Sequence, residues 1–551
     1  MTTKDISLFN LSILIIDDAQ IVVSNLRSML VKIGFMDSLI TTVKSPKTAL
    51  FMTRKQQFDI IICDYNFGKK INGKQLFEEL KYYKIINAET IFILITGEAS
   101  STIVQSILEL RPDDYILKPF NKITLKERLV NSILRKHSLK SLYQAELDKN
   151  YEFGLKLCDE LEPFHLNYYF TIQKFRGEFL TNLHRYEKAR DVYLATLKHK
   201  EFDWAKIGLA NSLKNTGHHI EAMKVIQELL ATSPNNIIAR MEAASISLNE
   251  NSIPEAIQHI EIASQIVPGH ADREWALANL CLSVGDSLSA FERYKIYVEM
   301  NRDTYRNNLQ AHINLIRFQL FSLKKIDENQ RKSWLQEARF NLRELYEKWD
   351  GQEEQYQIEL IAAHIFMEEG KYSASIEILN KIYQNQPLKL FEDHFHFCWL
   401  LNAMSFDSEF SKSITLCNKS LLNEDSGILL DTKIVLGEKL RLSHEEKIEW
   451  LENHYEHISK SKIDLDSLLE IYINILNKCP TLRSVSIKVV RILSNHWPKK
   501  LSEVETERLI KQCDNTIRQL VSEDELIRID YVNIYKKASG FRVRKHYENK
   551  E

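Results

Sequence analysis

The sequence predicts an α/β doubly wound (βα)5 domain followed by an all-α helical superhelix, and three observations lead to this fold class. Short, β-branched apolar runs alternate with stretches of helical periodicity over the first quarter of the chain. Strand-like runs then disappear, and helical periodicity continues to the end of the 551-residue chain. Glycine and proline together fill only 25 of the 551 positions. This is far below the average share of about 12 %, so the chain has too few turn signals for an array of β-strands.

Five apolar runs are predicted as strands, and five stretches that follow them as helices. Each run is apolar on both faces, which is typical of a parallel strand covered by helices on both sides of the sheet. The predicted strands are Leu11–Ile16, Leu39–Val43, Asp59–Cys63, Ile91–Ile95 and Tyr115–Leu117, and the predicted helices are 20–33, 46–56, 72–84, 100–110 and 121–137. Right-handed crossovers join such units into a doubly wound sheet.

The region after residue 138 contains a repeat with a step of about 34 residues, which is typical of a solenoid of helix pairs. A small residue is needed where paired helices cross closely, and a proline ends a helix. The repeat is carried by the alanines Ala189, Ala222, Ala256 and Ala290 and by the prolines Pro234 and Pro268. A further copy over 361–387 keeps Gly370 and Pro387 but has Ser375 in the alanine position.

These repeats resemble the tetratricopeptide repeat (TPR) family, in which stacked helix pairs form a superhelix. The resemblance implies three regions, namely the α/β domain at 1–138, a TPR repeat domain at 139–390 and a helical region with degenerate TPR-like repeats at 391–551. A concave repeat surface suits a protein or peptide partner. The predicted groove residues are Met241, Ser245, Leu248, Trp275, Asn279 and Leu282. Packing between neighbouring repeats is the alternative role for these side chains.

Polar side chains follow four of the five predicted strands, at the edge where open α/β sheets bind ligands. Asp17 and Asp18 follow the first strand, Asp64 the third, Thr96 the fourth and Lys118 the fifth. Crowded carboxylates repel one another unless a cation neutralises them, and hard oxygen ligands suit Mg²⁺. Asp64 is an anion near neutral pH, so it needs no general base to attack phosphorus. The pattern predicts phosphoryl transfer to a carboxylate, assisted by positive charge and a hydroxyl donor.

With these residues in this order, 10–135 resemble the CheY-like receiver domain of two-component response regulators, which has a flavodoxin-like fold. The resemblance implies that Asp64 is the phosphoacceptor and that Thr96 and Lys118 contact the phosphoryl oxygens. It also implies a Mg²⁺ cofactor. By this resemblance Asp18 and Asp64 bind the metal directly, Asn66 offers its backbone carbonyl, and Asp17 acts largely through water.

Further positions take their roles from the same resemblance. Tyr115 occupies the aromatic switch position, and Asn66 and Glu98 occupy the positions that tune the phosphoryl lifetime. The Lys118–Pro119 peptide bond is expected to be cis. The loop over 64–73 departs from many receivers, since it lacks their Met-Pro segment and has one more residue before the glycine.

These features predict a response regulator of a phosphorelay, phosphorylated on Asp64 by a histidine kinase or a phosphotransfer protein, with protein contacts of the repeats as its output. Beyond its own aspartyl phosphorylation and dephosphorylation it is not expected to be an enzyme. An adaptor or phosphate sink, which binds a kinase and inhibits phosphotransfer to a partner regulator, would need identical residues and stays open. The surface formed by the fourth helix, fifth strand and fifth helix is expected to contact a repeat helix or a second receiver. Contact with a second receiver would give a homodimer.

The charge, the apolar runs and the cysteine content limit the classes of partner and the cellular compartment that are expected. The net charge is +5 over residues 1–138 and −7 over the remainder, so no basic field for nucleic acid is expected. No apolar run approaches the roughly 18 residues of a membrane span, which predicts no membrane insertion. The seven cysteines form no CxxC pair, which indicates reduced thiols in a cytoplasmic protein.

A hidden enzyme or nucleic-acid module in 391–551 is a third hypothesis. The acidic balance and the lack of motifs disfavour it. The cluster of His394, His396 and Cys398 could suggest a metal site, but on a helix His396 points away from the other two. Packing is the preferred interpretation of this cluster.

Overall fold

The computed structural model describes residues 8–67, 71–348, 355–460 and 463–548. The chain divides into two compact units, one made of Met1–Leu277 with Glu299–Asn307 and the other of Ala278–Val298 with Asn308–Glu551. The first unit contains a five-stranded sheet and the helices that follow it, and the second is helical in its described ranges. The predicted region boundaries after residues 138 and 390 stay predictions.

The α/β part has the strand and helix order that the sequence predicts. Its five strands are β1 (Ile13–Ile16), β2 (Ile40–Val43), β3 (Ile60–Asp64), β4 (Ile91–Thr96) and β5 (Asp114–Leu117). Its five helices are α1 (Gln20–Ile33), α2 (Pro46–Lys55), α3 (Gly73–Tyr82), α4 (Ser101–Leu110) and α5 (Lys122–Ser138). All strand pairs are parallel, in the order β2-β1-β3-β4-β5. The predicted doubly wound fold class is confirmed.

Both faces of the sheet are covered by apolar cores, which explains the continuous apolar runs in its strands. Ile15, Ile62 and Ile93 belong to the core on one face, and Leu14 and Leu94 belong to the core on the other. Burial of both faces leaves the strand ends as the place where polar groups can be presented to a ligand.

The register of the strands brings those ends to one edge. Ile16 is opposite Cys63, Asp64 is opposite Ile95, and Thr96 is opposite Leu117. The side chains at the ends of β1, β3, β4 and β5 therefore face the same space.

The rest of the described chain is built from α-helices. They are α6 (Lys140–Leu147), α7 (Tyr151–Leu161), α8 (Tyr169–Asn182), α9 (Tyr186–His199), α10 (Asp203–Asn215), α11 (His219–Thr232), α12 (Ile237–Asn249), α13 (Ile253–Ile266), α14 (Ala271–Ser283), α15 (Ser287–Met300), α16 (Leu309–Phe321), α17 (Glu328–Lys348), α18 (Gln355–Glu368), α19 (Tyr372–Asn385), α20 (Phe391–Ala403), α21 (Asp407–Ser420), α22 (Ile428–Lys460), α23 (Leu465–Lys478), α24 (Arg483–Leu493), α25 (Glu503–Leu520), α26 (Glu523–Arg528) and α27 (Tyr531–Glu548). None of the helices in the described ranges is long and apolar enough to cross a membrane.

The predicted repeat step reappears in the helix boundaries. The helices α9, α11, α13 and α15 begin at Tyr186, His219, Ile253 and Ser287, so that successive starts are evenly spaced along the chain. The four repeat alanines are completely buried, as expected where two helices approach closely. The helical periodicity and its step thus match the structure, whereas the assignment to the TPR family stays a prediction.

Two glycines allow neighbouring helices to close around one tyrosine. A Cβ atom added to Gly177 of α8 would lie 2.5 Å from the ring of Tyr193, and one added to Gly208 of α10 would lie 2.3 Å from it. Tyr193 of α9 is 3 % exposed. Since real Cβ atoms do not approach a ring so closely, only glycine fits at these two crossings.

The cluster on α20 lies in a polar network of the second unit. His396 accepts a hydrogen bond from Arg317 Nε at 3.2 Å and bonds to His364 at 2.8 Å. Arg317 also pairs with Asp393. Burial lowers the pKa of His396 and lowers the pKa of His364 to about 3, so both imidazoles are neutral packing groups at physiological pH.

Gly208→Ala is expected to destabilise the chain by about 1–3 kcal/mol through overpacking, because the added methyl group overlaps the Tyr193 ring. Alanine otherwise favours a helix over glycine by about 0.5–1 kcal/mol, so a lower midpoint of thermal unfolding reports the overlap. In a Tyr193→Leu background the same substitution should cost much less. An equal loss in both backgrounds would contradict this packing.

Candidate functional site

Two carboxylates and one ammonium group meet at the carboxyl edge of the sheet. Lys118 Nζ lies 2.6 Å from Asp64 Oδ1 and 3.0 Å from Asp17 Oδ2. Asp17 follows β1, Asp64 ends β3 and Lys118 follows β5. The sheet order places β1 and β3 side by side, so the two carboxylates are close although they are far apart in the chain. A single lysine thus contacts both carboxylates and offsets part of their negative charge.

The surroundings make Asp64 harder to ionise than an exposed aspartate. Burial raises the pKa of its carboxyl, and the hydrogen bond and charge of Lys118 offset part of this rise. Burial lowers the pKa of Lys118, but its bonds to Asp64 and Asp17 outweigh burial and leave that pKa raised. Burial also raises the pKa of the Cys63 thiol well above its usual range, which keeps Cys63 protonated beside the site.

Backbone groups orient the remaining polar side chains of the site. The amide of Asn66 donates to Asp64 Oδ2 at 3.0 Å, and the amide of Glu98 donates to Thr96 Oγ1 at 3.1 Å. Because the Thr96 oxygen accepts this bond, its own hydroxyl hydrogen is left to donate. Thr96 is 2 % exposed, whereas Asp18 is exposed directly after the buried Asp17.

Tyr115 lies on β5, three residues before the lysine. Its ring is half-buried against the core on one face of the sheet. Arg128 of α5 donates to the Tyr115 carbonyl at 3.0 Å, and its guanidinium lies 5.9 Å from the ring centroid. The Lys118–Pro119 peptide bond is cis, as the family resemblance implies.

The predicted groove residues are not exposed in the structure. Ser245, Leu248 and Asn279 are buried, and Met241, Trp275 and Leu282 are half-buried. Ser245 accepts a hydrogen bond from Lys214 at 2.7 Å, and Asn279 donates one to Thr432 at 3.2 Å. These contacts belong to packing between helices, the alternative interpretation of the pattern, and a role in partner binding stays a prediction.

Two residues beside Asp64 have contacts that the motifs do not reveal. The hydroxyl of Tyr65 donates to Ser106 of α4 at 3.0 Å. Gly73 begins α3, and a Cβ atom there would lie 2.3 Å from the backbone oxygen of Asp64. Of these two, only the glycine could have been suspected from the sequence, because glycine is common where two backbones approach closely.

The oxygen atoms at this edge are of the chemical type that a small, hard cation binds. Asp17 and Asp64 carry carboxylate oxygens at this edge, Asp18 follows Asp17 in the chain, and Asn66 lies two positions after Asp64. Oxygen ligands of this kind suit Mg²⁺, which keeps several waters. Within the described ranges no group of three or more His, Cys, Asp or Glu side chains is arranged as a metal site. The ammonium of Lys118 lies between the carboxylates of Asp17 and Asp64.

Comparisons with known proteins agree with the α/β part of the chain. Residues 13–130 match the family model of the response regulator receiver domain. Chemotaxis protein CheY-3 of Vibrio cholerae is 30 % identical over 126 residues, which cover 22 % of this chain and 89 % of that protein. Transcriptional regulatory protein YvrH of Bacillus subtilis is 31 % identical over 137 residues, 25 % of this chain. The chain spans about half of YvrH, 52 % of its length.

Solved structures give matches of similar extent. Chemotaxis protein CheY4 of Vibrio cholerae is 23 % identical, with a TM-score of 0.20, and the match covers 22 % of this chain and 98 % of that chain. The receiver domain of the Francisella response regulator 1452 is 24 % identical, also with a TM-score of 0.20, over 23 % of this chain and 98 % of that chain.

Lys118→Gln is expected to raise the pKa of the Asp64 carboxyl further in metal-free buffer. The substitution removes the charge and the hydrogen bond that offset burial, while Asp17 remains close by. A carbon NMR titration of the aspartate side chains measures the change. Lys122→Gln, on the exposed start of α5, is the matched control and should leave the titration unchanged. A pKa that stays the same or falls in Lys118→Gln would contradict the assigned role of the lysine.

Proposed function

The chain belongs to the response regulator receiver family through residues 13–130, and from that premise we propose that a histidine kinase or a phosphotransfer protein phosphorylates it on Asp64. The observation that carries this proposal is the convergence of Asp64 and Asp17 on Lys118 at the carboxyl edge of the sheet. An acidic pair held by one lysine is suited to accept a phosphoryl group, because the cation balances the added negative charge.

We assign each residue at this edge a separate role in phosphoryl transfer. The P–N bond of the donor phosphohistidine breaks, and a P–O bond to the Asp64 carboxylate forms. The amide of Asn66 orients that carboxylate through Oδ2. Lys118 and the Thr96 hydroxyl stabilise the phosphoryl oxygens, since one supplies positive charge and the other a hydrogen bond. The hydrogen bonds of Lys118 and of the Asn66 amide to Asp64 support the proposed roles of these two residues.

Mg²⁺ is the proposed cofactor of this step. Asp17, Asp18, Asp64 and the backbone carbonyl of Asn66 would hold it, and it would supply positive charge that positions the phosphoryl group. Lys118 compensates only one of the two negative charges of Asp17 and Asp64. An additional cation is therefore favoured when a phosphoryl group brings further negative charge.

Three further residues are proposed to regulate the modified state. Asn66 and Glu98 would tune the lifetime of the phosphoryl group, because each lies two positions beyond a residue that contacts it. Tyr115 would act as the aromatic switch. Its ring is half-buried against the core on one face of the sheet, so that part of it faces solvent.

The helical part is proposed to carry the output through protein contacts, as a TPR-like array. The even spacing of helix starts and the buried alanines support this proposal. A protein or peptide is the proposed partner class, and Met241, Ser245, Leu248, Trp275, Asn279 and Leu282 are the proposed groove residues. Since their side chains are buried or half-buried, partner binding would require them to separate from neighbouring helices.

Incubation of the full chain with a small-molecule phosphodonor and Mg²⁺ is expected to add one phosphoryl group, visible as a mass increase in intact-protein mass spectrometry. Asp64→Asn should abolish the addition, because the amide is a poor nucleophile toward phosphorus. Asp37→Asn, at an exposed receiver carboxylate that pairs with Arg27, should be modified like the wild type. Equal modification of Asp64→Asn and the wild type would overturn the assignment.

Asp18→Asn is expected to weaken Mg²⁺ binding by about tenfold or more, because it removes one carboxylate from the proposed site. Isothermal titration calorimetry measures the affinity directly and does not depend on phosphorylation. Since Asp18 is exposed, the fold should tolerate the change. Asp37→Asn again provides the control. Equal affinities in Asp18→Asn and the wild type would exclude Asp18 as a ligand.

A further inference from the structure

Helices α3 and α4 of the receiver contact residues of the helical part that belong to the same compact unit. Here the 299–307 segment denotes Glu299–Asn307. The ring of Tyr305 stacks on Tyr82 at the end of α3, with centroids 4.0 Å apart and planes inclined by 18°. The amide of Tyr305 donates to the carboxylate of Glu79, and Gln75 donates to the carbonyl of Met300 at 3.3 Å.

A buried group of charges connects α4 to the start of α14. Glu109 Oε1 accepts a hydrogen bond from Arg273 Nη1 at 2.7 Å and lies 3.4 Å from His270 Nε2. Lys74 Nζ of α3 lies 3.7 Å from Glu109 Oε2. Arg273 is 1 % exposed and Lys74 is 5 % exposed. Glu109 therefore receives positive charge from its own domain and from the helical part at once.

This charge group is only partly satisfied. Lys74 Nζ, Glu109 Oε2 and Arg273 Nε are buried without a hydrogen-bond partner among the described residues. Burial also lowers the pKa of Lys74. A buried ion pair of this kind adds little net stability, because desolvation offsets the attraction between the charges. Such a pair contributes to the choice of one arrangement of α4 against Arg273 more than to net stability.

The same two helices are connected to the phosphoacceptor. Tyr65 follows Asp64 and donates through its hydroxyl to Ser106 of α4, and Ser106 lies three positions before Glu109 on the same side of the helix. Ser106 is 1 % exposed. A chain of contacts thus connects Asp64, through Tyr65 and Ser106, to the part of α4 that binds Arg273.

A second connection runs through α3. The amide of Gly73, its first residue, donates to the carbonyl of Tyr65 at 2.8 Å. Gln75 accepts the amide hydrogen of Asn72 at 3.1 Å and donates to Met300. Gln75, which forms the capping box of α3 with Asn72, thus also contacts the 299–307 segment.

We propose that the α3–α4 face of the receiver is a latch for the chain's own 299–307 segment and Arg273, and that phosphorylation of Asp64 opens this latch through Tyr65 and Ser106. This inference rests on the proposed phosphorylation of Asp64. Because coupling between two equilibria is reciprocal, the docked segment must in turn resist phosphorylation. The helical part thus inhibits phosphorylation of the receiver in the same chain.

Hydrogen–deuterium exchange of the full chain tests the latch. Phosphodonor with Mg²⁺ should increase the exchange rate of the 299–307 segment by about fivefold or more. Glu109→Gln should produce a similar increase without phosphodonor, and phosphodonor should then add little. Glu127→Gln, at an exposed position of α5, is the matched control and should behave like the wild type.

Tyr65→Phe separates transmission from docking, because it removes only the hydroxyl that bonds Ser106. Its basal exchange should equal that of the wild type, while the increase on phosphorylation should fall. Ser106→Ala should have the same effect, and the two substitutions together should add nothing further.

Two results would overturn the proposal in different ways. If the wild type gains the phosphoryl mass but exchange of the 299–307 segment is unchanged, the latch is wrong and the proposed function stands. If the wild type gains no phosphoryl mass, the proposed function fails and the coupling fails with it.

Discussion

The close approach of Asp17 and Asp64 around one lysine is the constraint on which the site depends. Lys118 contacts the carboxylates of both Asp17 and Asp64. Two carboxylates so close to one ammonium group would repel each other without a cation between them. The parallel sheet makes this arrangement possible because it presents the ends of β1, β3 and β5 at one edge, with apolar cores on both faces. The cores determine where the backbone lies, and the charges determine what that edge can bind.

In the helical part, small residues at the helix crossings allow neighbouring helices to pack closely. Fully buried alanines recur in successive helix pairs, and Gly177 and Gly208 make room for the ring of Tyr193. Interiors packed at this density transmit displacements instead of absorbing them. An array packed in this way can pass a displacement from one helix pair to the next.

The polar groups buried between the receiver and the helical part determine how the two parts pack, and they add little to the stability of that packing. Glu109 and Arg273 must both leave water, and their attraction roughly compensates that loss. Tyr305 stacks on Tyr82 and adds apolar contact beside them. Because the buried charges add little net stability to this contact, phosphorylation of Asp64 can separate the segment from the receiver. A purely apolar contact of the same area would be more stable.

The sequence by itself determined the order of strands and helices, the repeat step of the helical part, and the residues at the carboxyl edge. Local periodicity reports burial, and the ends of parallel strands must share an edge. The tertiary structure alone decided that Tyr65 bonds Ser106 and that Glu109 pairs with Arg273. It also decided that the predicted groove residues are covered. No local pattern encodes these facts, because each depends on how distant helices cross and on which charges burial brings together.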